Sequence, residues 1–194
     1  MFRTLTAFAL ATLVATPALA CSMTGKDELF FGYISNGERS YPEPVPLALP
    51  DVGYLDEQGQ PTSLNARFGK PMVVTLWHPR CPGCKVDLPA LNTLLKDPEI
   101  DESQFVQISV EQLHQGQRNY SIEDVKGFLA AKSYGKIDAN IDIGNKFFKA
   151  NCMVATPTHL LVNSEGKVME VLFGAFPWPD KPFVDDIKKF LATN

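Results

Sequence analysis

The chain lacks the features that mark several common classes of protein. Its 194 residues carry a formal net charge of −4 without a cluster of Lys and Arg, so the electrostatic footprint of a nucleic-acid-binding protein is missing. It has neither a second C-x-x-C nor an H-x-x-x-H, which excludes the usual structural zinc sites. Internal repeats and low-complexity stretches are also missing. A hydrophobic content of 45% is enough for one domain with a substantial core.

The first twenty residues have the composition of a secretory signal peptide. Arg3 supplies a positive start, an apolar run covers residues 5–14, and Ala18-Leu19-Ala20 has the A-x-A form of a cleavage site. The run is too short for a permanent membrane helix, and no later segment is apolar enough to span a bilayer. The sequence therefore predicts export to the periplasm, with a signal peptide at 1–20, an arm or linker at 21–45 and one domain at 46–194.

Cys21 leaves the state of the mature N-terminus open. A cysteine just after the cleavage point is the residue that bacterial lipoproteins carry, and lipidation there would anchor the protein to a membrane. A lipobox, however, usually has Leu at the position of Ala18 and a small residue at the position of Leu19. A disulfide between Cys21 and Cys152 is a further alternative, although we expect Cys152 to be a half-buried free thiol.

The motif Cys81-Pro82-Gly83-Cys84 lies where a β-branched strand gives way to a helix. Disulfides persist in exported proteins, and a C-x-x-C in a β-α-β pattern is typical of a thioredoxin-like redox site. The N-terminus of a helix also favours the thiolate that carries out thiol–disulfide exchange. A static disulfide and half of a metal site are the alternatives that the motif alone leaves open.

Hydrophobic periodicity and turn signals predict the order of the remaining elements. A β-hairpin joins residues 47–55 to 61–64, and Ser121 with Asp124 has the form of a capping box at the start of a helix. We predict strands at 71–77, 105–110, 158–162 and 167–173, and helices at 82–96 (broken by Pro89), 121–132, 143–150 and 181–192. This order predicts an α/β fold, a mixed sheet with helices on both faces.

Several separate motifs give the chain a family resemblance over about residues 47–191. Pro50-Asp51-Val52-Gly53 begins a characteristic hairpin, and Gly69-Lys70-Pro71 precedes the strand that leads to the two cysteines. Pro89 follows in the helix, and Thr156-Pro157-Thr158 precedes the last hairpin. With these motifs the chain resembles the thioredoxin-fold, TlpA/ResA/CcmG-type periplasmic thiol–disulfide oxidoreductases of the AhpC/TSA-Redoxin-like group.

The resemblance implies a three-layer thioredoxin-like sandwich with an extra N-terminal β-hairpin. It implies a cis Thr156–Pro157 bond beside the cysteines, and Thr156, Pro157 and Trp77 as substrate-binding residues. It implies no cofactor beyond the redox-active disulfide. Protein thiols and disulfides are the implied partners, reduction is the implied direction, and a membrane dithiol donor is the implied source of electrons.

The departures from the family pattern lie around the motif. Thioredoxins keep a buried acid six residues before the first cysteine and a Lys in the next strand, where this chain has Thr75 and Gln107. The usual Trp before the first cysteine is Arg80. We therefore assign no general base, and Glu111, at the end of its strand, is a possible substitute.

The residue types assign separate roles to the two cysteines. We expect Cys81 to be the exposed nucleophile and Cys84 to resolve the mixed disulfide, with a Cys81 pKa lowered by the helix N-terminus and by the cations Arg80 and Lys85. Asp87 and Trp178 are expected at the surface. Two other functions stay open: a disulfide-forming oxidase, and a module that binds Cu(I) through Cys81, Cys84 and His78, since thiolates select Cu(I).

Overall fold

The computed structural model describes residues 33–35, 38–40, 47–112, 118–151, 153, 155–178 and 180–193. The predicted signal peptide, Cys21 and Cys152 lie outside the described residues. Among the helices of the described part, none is long and apolar enough to cross a membrane.

The described residues form ten strands and four α-helices. The strands are β1 (Tyr33–Ser35), β2 (Glu38–Ser40), β3 (Leu47–Ala48), β4 (Tyr54–Leu55), β5 (Pro61–Thr62), β6 (Met72–Trp77), β7 (Phe105–Val110), β8 (Asn140–Asp142), β9 (Thr158–Val162) and β10 (Lys167–Phe173). The helices are α1 (Cys84–Leu94), α2 (Ile122–Lys132), α3 (Lys146–Ala150) and α4 (Lys181–Thr193).

One mixed sheet of eight strands organises the fold, in the order β3-β10-β9-β6-β7-β8-β4-β5. Strands β6, β7 and β8 run parallel, and β9 runs antiparallel to β6. The short β1 and β2 pair only with each other. Since a parallel connection needs a crossover, the chain between β6 and β7 forms α1, and the chain between β7 and β8 includes α2.

Two hydrophobic cores lie on opposite faces of this sheet. Val73 and Trp77 of β6 pack with apolar side chains of α1, α2 and α4 in one core. Val74 and Leu76, which alternate with them, pack with Phe147 of α3 in the other. The predicted fold class, a thioredoxin-like sandwich with helices on both faces of a mixed sheet, is confirmed.

The N-terminal hairpin is shorter than predicted. Tyr54–Leu55 pairs with Pro61–Thr62, around a turn in which Asp56 accepts hydrogen bonds from the backbone of Gln58 and Gln60. Leu47–Ala48, which we expected in the same hairpin, pairs instead with β10 at the opposite edge of the sheet. The sequence could not separate these pairings, because each strand is only two residues long.

Two helices show how local signals and packing compete. Helix α2 begins with the predicted capping box, in which the Ser121 side chain accepts from the Asp124 N–H and the Asp124 side chain accepts from the Ser121 N–H. Helix α1 was expected to break at Pro89 but continues through it to Leu94. Leu88 and Leu91 are fully buried on either side of the proline, and this packing holds the helix despite the missing hydrogen bond.

Candidate active site

The two cysteines lie at the junction between β6 and α1. Strand β6 ends at Trp77, the backbone N–H of Cys81 bonds to the His78 carbonyl at 3.0 Å, and α1 begins at Cys84 with Gly83 as its N-cap residue. The two thiols are free, so the structure describes the reduced dithiol. Cys84 therefore lies in the first turn of the helix and the Cys81 sulfur lies beside that turn, where backbone N–H groups have no partner within the helix.

The Cys81 sulfur is surrounded by hydrogen-bond donors that favour its thiolate. The backbone N–H of Cys84 lies 3.1 Å from it. A hydrogen bond from the Cys84 thiol is the largest influence, and it lowers the pKa of Cys81 to about 6 against the opposing effect of burial. The N–H groups of Cys84 and Gly83 lower it further. Cys81 can therefore be ionised near neutral pH, as a nucleophile requires.

The pKa of Cys84 is shifted in the opposite direction. It is 1% exposed, and burial raises the pKa of its thiol above the usual range. Its hydrogen bond to the Cys81 sulfur acts in the same direction, because the bond is lost when Cys84 loses its proton. The pKa of Cys81 is thus lowered and that of Cys84 raised, which is the order that the predicted roles of nucleophile and resolving residue require.

The loop before β9 packs directly on the motif. The Thr156–Pro157 bond is cis, as the resemblance implied. The Thr156 carbonyl oxygen lies 3.1 Å from the Cys81 sulfur and accepts a hydrogen bond from the Cys81 thiol. A Cβ atom placed on Gly83 would lie 3.0 Å from the Cδ atom of Pro157, so the close approach of α1 to this loop favours glycine there.

The causes of the low Cys81 pKa agree with the sequence prediction for the helix N-terminus and differ from it for the two cations. Arg80 and Lys85 have exposed side chains, and neither is among the main influences on the Cys81 pKa. Solvent screens exposed cations, whereas the hydrogen bonds act on the sulfur directly. The expectation that Cys81 is exposed was also wrong, since only 2% of its surface is accessible. Its reactivity therefore depends on hydrogen bonding and not on exposure.

Trp77 and His78 do not take the positions that their proposed roles require. Trp77 is wholly buried and packs on Phe128 with ring centroids 5.7 Å apart, so it supports the site from inside and offers a substrate no surface. The His78 ring lies edge-on to Tyr120, and its Nδ1 atom accepts from the Arg80 N–H at 3.1 Å. Within the described ranges, no group of three His, Cys, Asp or Glu side chains is arranged to hold a metal ion, so the structure does not assemble the copper set.

Glu111 is bound to a neighbouring loop. Its carboxylate accepts a hydrogen bond from the backbone N–H of Gly144 at 2.7 Å. None of the hydrogen bonds found among the described residues links it to Cys81 or Cys84. The structure therefore gives Glu111 a role in holding the loop after β8 and does not support it as the missing acid.

The sequence analysis missed a buried polar cluster behind the cysteines. Asp87, expected at the surface, is fully buried, and its Oδ1 atom accepts from the Phe176 N–H at 2.9 Å and from the Trp178 Nε1–H at 2.7 Å. His159 lies with its Nε2 atom 3.5 Å from the same Oδ1 atom, and its Nδ1 atom is 3.0 Å from the Thr75 hydroxyl.

One signal for this cluster was present in the sequence. Cys84, Asp87, Leu88 and Leu91 share one helical face, so a buried Asp87 could have been predicted from the spacing. Trp178, also expected at the surface, is 1% exposed because its indole bonds to Asp87. His159 gave no comparable signal, since a single His inside an apolar strand can be packed in many ways.

Comparison with known proteins decides the family. Residues 45–171 match the AhpC/TSA family. The chain belongs to this family. Among curated proteins, the thiol-disulfide oxidoreductase ResA of Bacillus cereus is 22% identical over 147 residues, which cover 75% of this chain and 78% of ResA. The resemblance inferred from the motifs is confirmed.

Solved structures show the same fold. The exposed lipoprotein thioredoxin Etrx1 of Streptococcus pneumoniae superimposes with a TM-score of 0.58 and 18% identity, covering 72% of this AhpC/TSA chain and 99% of Etrx1. A thiol:disulfide interchange protein of Chlorobium tepidum superimposes with a TM-score of 0.57 and 22% identity, covering 77% and 99%. The superpositions cover nearly the whole length of both neighbours.

Proposed function

We propose that this protein is an exported thiol–disulfide oxidoreductase that reduces disulfides of partner proteins through Cys81 and Cys84. The observation that carries the proposal is the opposite environment of the two thiols, since hydrogen bonds lower the pKa of Cys81 to about 6 while burial raises that of Cys84. Membership of the AhpC/TSA family and the likeness to ResA support the enzyme class.

The reaction follows from this division. The Cys81 thiolate attacks one sulfur of a partner disulfide, the partner's S–S bond breaks, and its other sulfur leaves as a thiolate that takes up a proton. Cys84 then loses its proton and attacks the Cys81 sulfur, which releases the second partner thiol. Two electrons and two protons pass from the dithiol to the partner, and Cys81 and Cys84 become a disulfide.

Thr156 and Pro157 are the substrate-binding residues of this proposal. The Thr156 carbonyl accepts from the Cys81 thiol in the reduced structure. Once Cys81 is ionised or joined to a partner, that donor is gone and the carbonyl is available to a backbone N–H of the partner. Pairing of this kind would hold an extended segment of the substrate across the sulfur, in the manner of strand addition.

Reduction is the proposed direction because the Cys81 pKa is nearer to that of a reductant. A value of about 6 lies close to the ~7 of thioredoxin and far from the ~3.5 of the oxidant DsbA. One pKa unit is about 1.4 kcal/mol, or about 30 mV for a two-electron couple. Starting from about −270 mV for thioredoxin, we expect a reduction potential of about −240 mV, measured by equilibration with glutathione. A value near −120 mV would indicate an oxidase.

Location and electron supply complete the proposal. Etrx1 is an exposed lipoprotein, which agrees with export by residues 1–20 and is compatible with a lipid anchor at Cys21. A reductase outside the cytoplasm needs a continuing source of electrons, because its surroundings are oxidising. We propose a membrane dithiol donor for this purpose.

Trapping of partners tests the proposed function. A Cys84→Ser variant keeps the Cys81 nucleophile but cannot resolve, so mixed disulfides with partners should accumulate and be released by dithiothreitol. The matched control is Cys81→Ser, which should trap none. Equal trapping by both variants, or trapping by neither together with failure of the wild type to reduce a model protein disulfide, would contradict the proposal.

A further inference from the structure

The core beneath α1 contains three buried polar side chains among apolar ones. Thr75 of β6, Asp87 of α1 and His159 of β9 are each 0% exposed. Thr75 and His159 are register partners in adjacent strands, and Asp87 approaches them from the helix. A buried carboxyl group beside a buried imidazole is costly in an apolar core, which makes this cluster a candidate for a functional role.

The hydrogen bonding of this cluster is incomplete. Asp87 Oδ1 accepts from the Phe176 N–H and the Trp178 indole, whereas Asp87 Oδ2 is buried and has no hydrogen-bond partner among the residues that the structure describes. His159 Nδ1 is bonded to Thr75, whereas Nε2 is buried at 3.5 Å from Oδ1, beyond a good hydrogen bond. The pair can therefore take up one more proton without displacing an existing partner.

Cys84 is the titratable group that can supply this proton. It precedes Asp87 by three residues in α1, a spacing that places the two side chains on the same helical face with Cβ atoms about 5–6 Å apart. Cys84 is 1% exposed, so water has little direct access to its thiol. Yet Cys84 must be deprotonated before it can attack the mixed disulfide on Cys81.

Within the described part of the chain, the other groups that face the pair are few. Helix α1 contributes Cys84, and the segment just before the helix contributes Cys81. Strand β6 contributes the Thr75 hydroxyl, the segment after β10 contributes the Phe176 N–H and the Trp178 indole, and α4 contributes the Phe183 ring, which lies against Trp178. The charged residues at the start of α4 have exposed side chains: Asp180, Lys181 and Asp185. The pair is thus set apart from the surface charges of α4.

We propose that His159 is a positioning residue for the resolving step, holding the proton that Asp87 accepts from Cys84. This inference rests on the proposed function, and the step begins before the Asp87–His159 pair has taken up the extra proton. The Cys84 S–H bond breaks and its proton passes to the pair, giving a carboxylate–imidazolium couple or its tautomer. The Cys84 thiolate forms a bond to Cys81, the Cys81–partner bond breaks, and the partner leaves as a thiolate. The proton then returns to solvent, and no external oxidant beyond the partner disulfide is needed.

His159 provides a second place for the extra proton, which Asp87 alone would hold less favourably. Without the imidazole, the proton would have to stay on a carboxyl group already accepting two hydrogen bonds that favour its ionised form. With the imidazole, positive charge forms next to the carboxylate and no net isolated charge is added to the core. The Thr75 hydroxyl, through its bond to Nδ1, fixes the orientation of the ring.

A two-phase reaction with 5,5′-dithiobis(2-nitrobenzoate) separates the inference from the proposed function. The first thionitrobenzoate is released when Cys81 attacks the reagent, and the second is released when Cys84 resolves the mixed disulfide. For His159→Gln, which keeps an N–H donor but cannot hold an extra proton, we expect an unchanged first phase. The second phase should be at least tenfold slower at pH 7, and the difference should shrink as pH rises.

The outcomes of this experiment distinguish failure of the His159 inference from failure of the proposed function. If the second phase of a folded His159→Gln variant matches the wild type within twofold across pH 6–9, the inference is overturned while the proposed function stands. If the wild type shows no second phase, the proposed function fails. A variant slowed equally at every pH indicates a structural role only and also overturns the inference.

A measurement on protein that keeps His159 covers the case in which the His159→Gln variant does not fold. In ¹⁵N-labelled protein, the His159 ring nitrogens report the charge of the imidazole. We expect their shifts to change with pH between 5 and 9 in the mixed disulfide of Cys81 with thionitrobenzoate, stabilised by Cys84→Ala. Ring shifts that stay constant over that range would overturn the inference.

Discussion

At the scale of single residues, hydrogen bonds set the reactivity of the site. Cys81 is covered by protein, its flanking cations are exposed, and its sulfur is held by donors from the first turn of α1. Among these donors, the Cys84 thiol has the largest effect on the Cys81 pKa. The second cysteine therefore lowers the pKa of the first, in addition to the resolving role that we propose for it.

This predicts a specific response of the Cys81 pKa to substitution. Alkylation by iodoacetamide as a function of pH should give an apparent pKa of about 6 for Cys81 in the reduced protein. Cys84→Ser, which keeps a hydroxyl donor, should leave the pKa low, whereas Cys84→Ala, which removes the donor, should raise it by about one unit. Lys85→Gln and Arg80→Gln should change it by less than about 0.3 unit, because exposed charges are screened. A large rise in either of these two variants would restore the cations as the main cause.

At the scale of elements, both short-range sequence signals and tertiary packing decide where the helices begin and continue. The capping box of α2 was predictable because both of its hydrogen bonds form within four consecutive residues. The continuation of α1 through Pro89 was not, because it depends on contacts with the sheet and with α4. The same contacts account for Trp178, whose burial depends on Asp87 in another element.

Loss of the capping box predicts a measurable loss of stability. Ser121→Ala leaves the Asp124 N–H without its acceptor and should lower the free energy of unfolding by about 1 kcal/mol. Ser121→Gly should cost only a few tenths of that amount, since glycine is tolerated at an N-cap. Urea denaturation of the reduced protein measures both. Equal effects of the two substitutions would contradict a capping role.

At the scale of the whole molecule, one part of the sheet surrounds a half-buried carboxyl group. Asp138 lies before β8, and its Oδ2 atom is approached by the Gln107 N–H of β7 and the Asn140 side chain of β8. Burial raises the pKa of Asp138 to about 6, and the nearby Glu57 carboxylate of the β4–β5 turn acts in the same direction. Three segments therefore meet at a group whose ionised form is less favourable than that of an exposed Asp.

The raised pKa of Asp138 makes the free energy of unfolding depend on pH. Between its unfolded pKa of about 3.9 and its folded value of about 6, Asp138 binds more proton in the native state, so its contribution to stability is lost as pH rises through this window. Relative to Asp138→Asn, the wild type should lose about 2–3 kcal/mol between pH 4 and pH 7, because each pKa unit is worth about 1.4 kcal/mol. Urea unfolding of both proteins at several pH values tests this. A difference that stays constant with pH would contradict it.

The sequence by itself determined the order of elements, the position of the two cysteines at a strand–helix junction, and the family resemblance. These features depend on short windows: alternation in β6, the spacing of Cys81 and Cys84, and Thr156-Pro157 before β9. The edge pairing of β3 and the strand β8 were missed, because strands of two or three residues leave too little periodicity to detect.

Only the tertiary structure decided what surrounds the sulfurs. Thr75, Asp87 and His159 come from a strand, a helix and a second strand, and they meet because β6 pairs with β9 while α1 packs on both. Trp77, which we predicted to bind substrate, is a core residue, because the layers of the fold bury it completely. Burial and hydrogen bonding between distant segments depend on how the layers close over one another, and no short window of sequence carries that information.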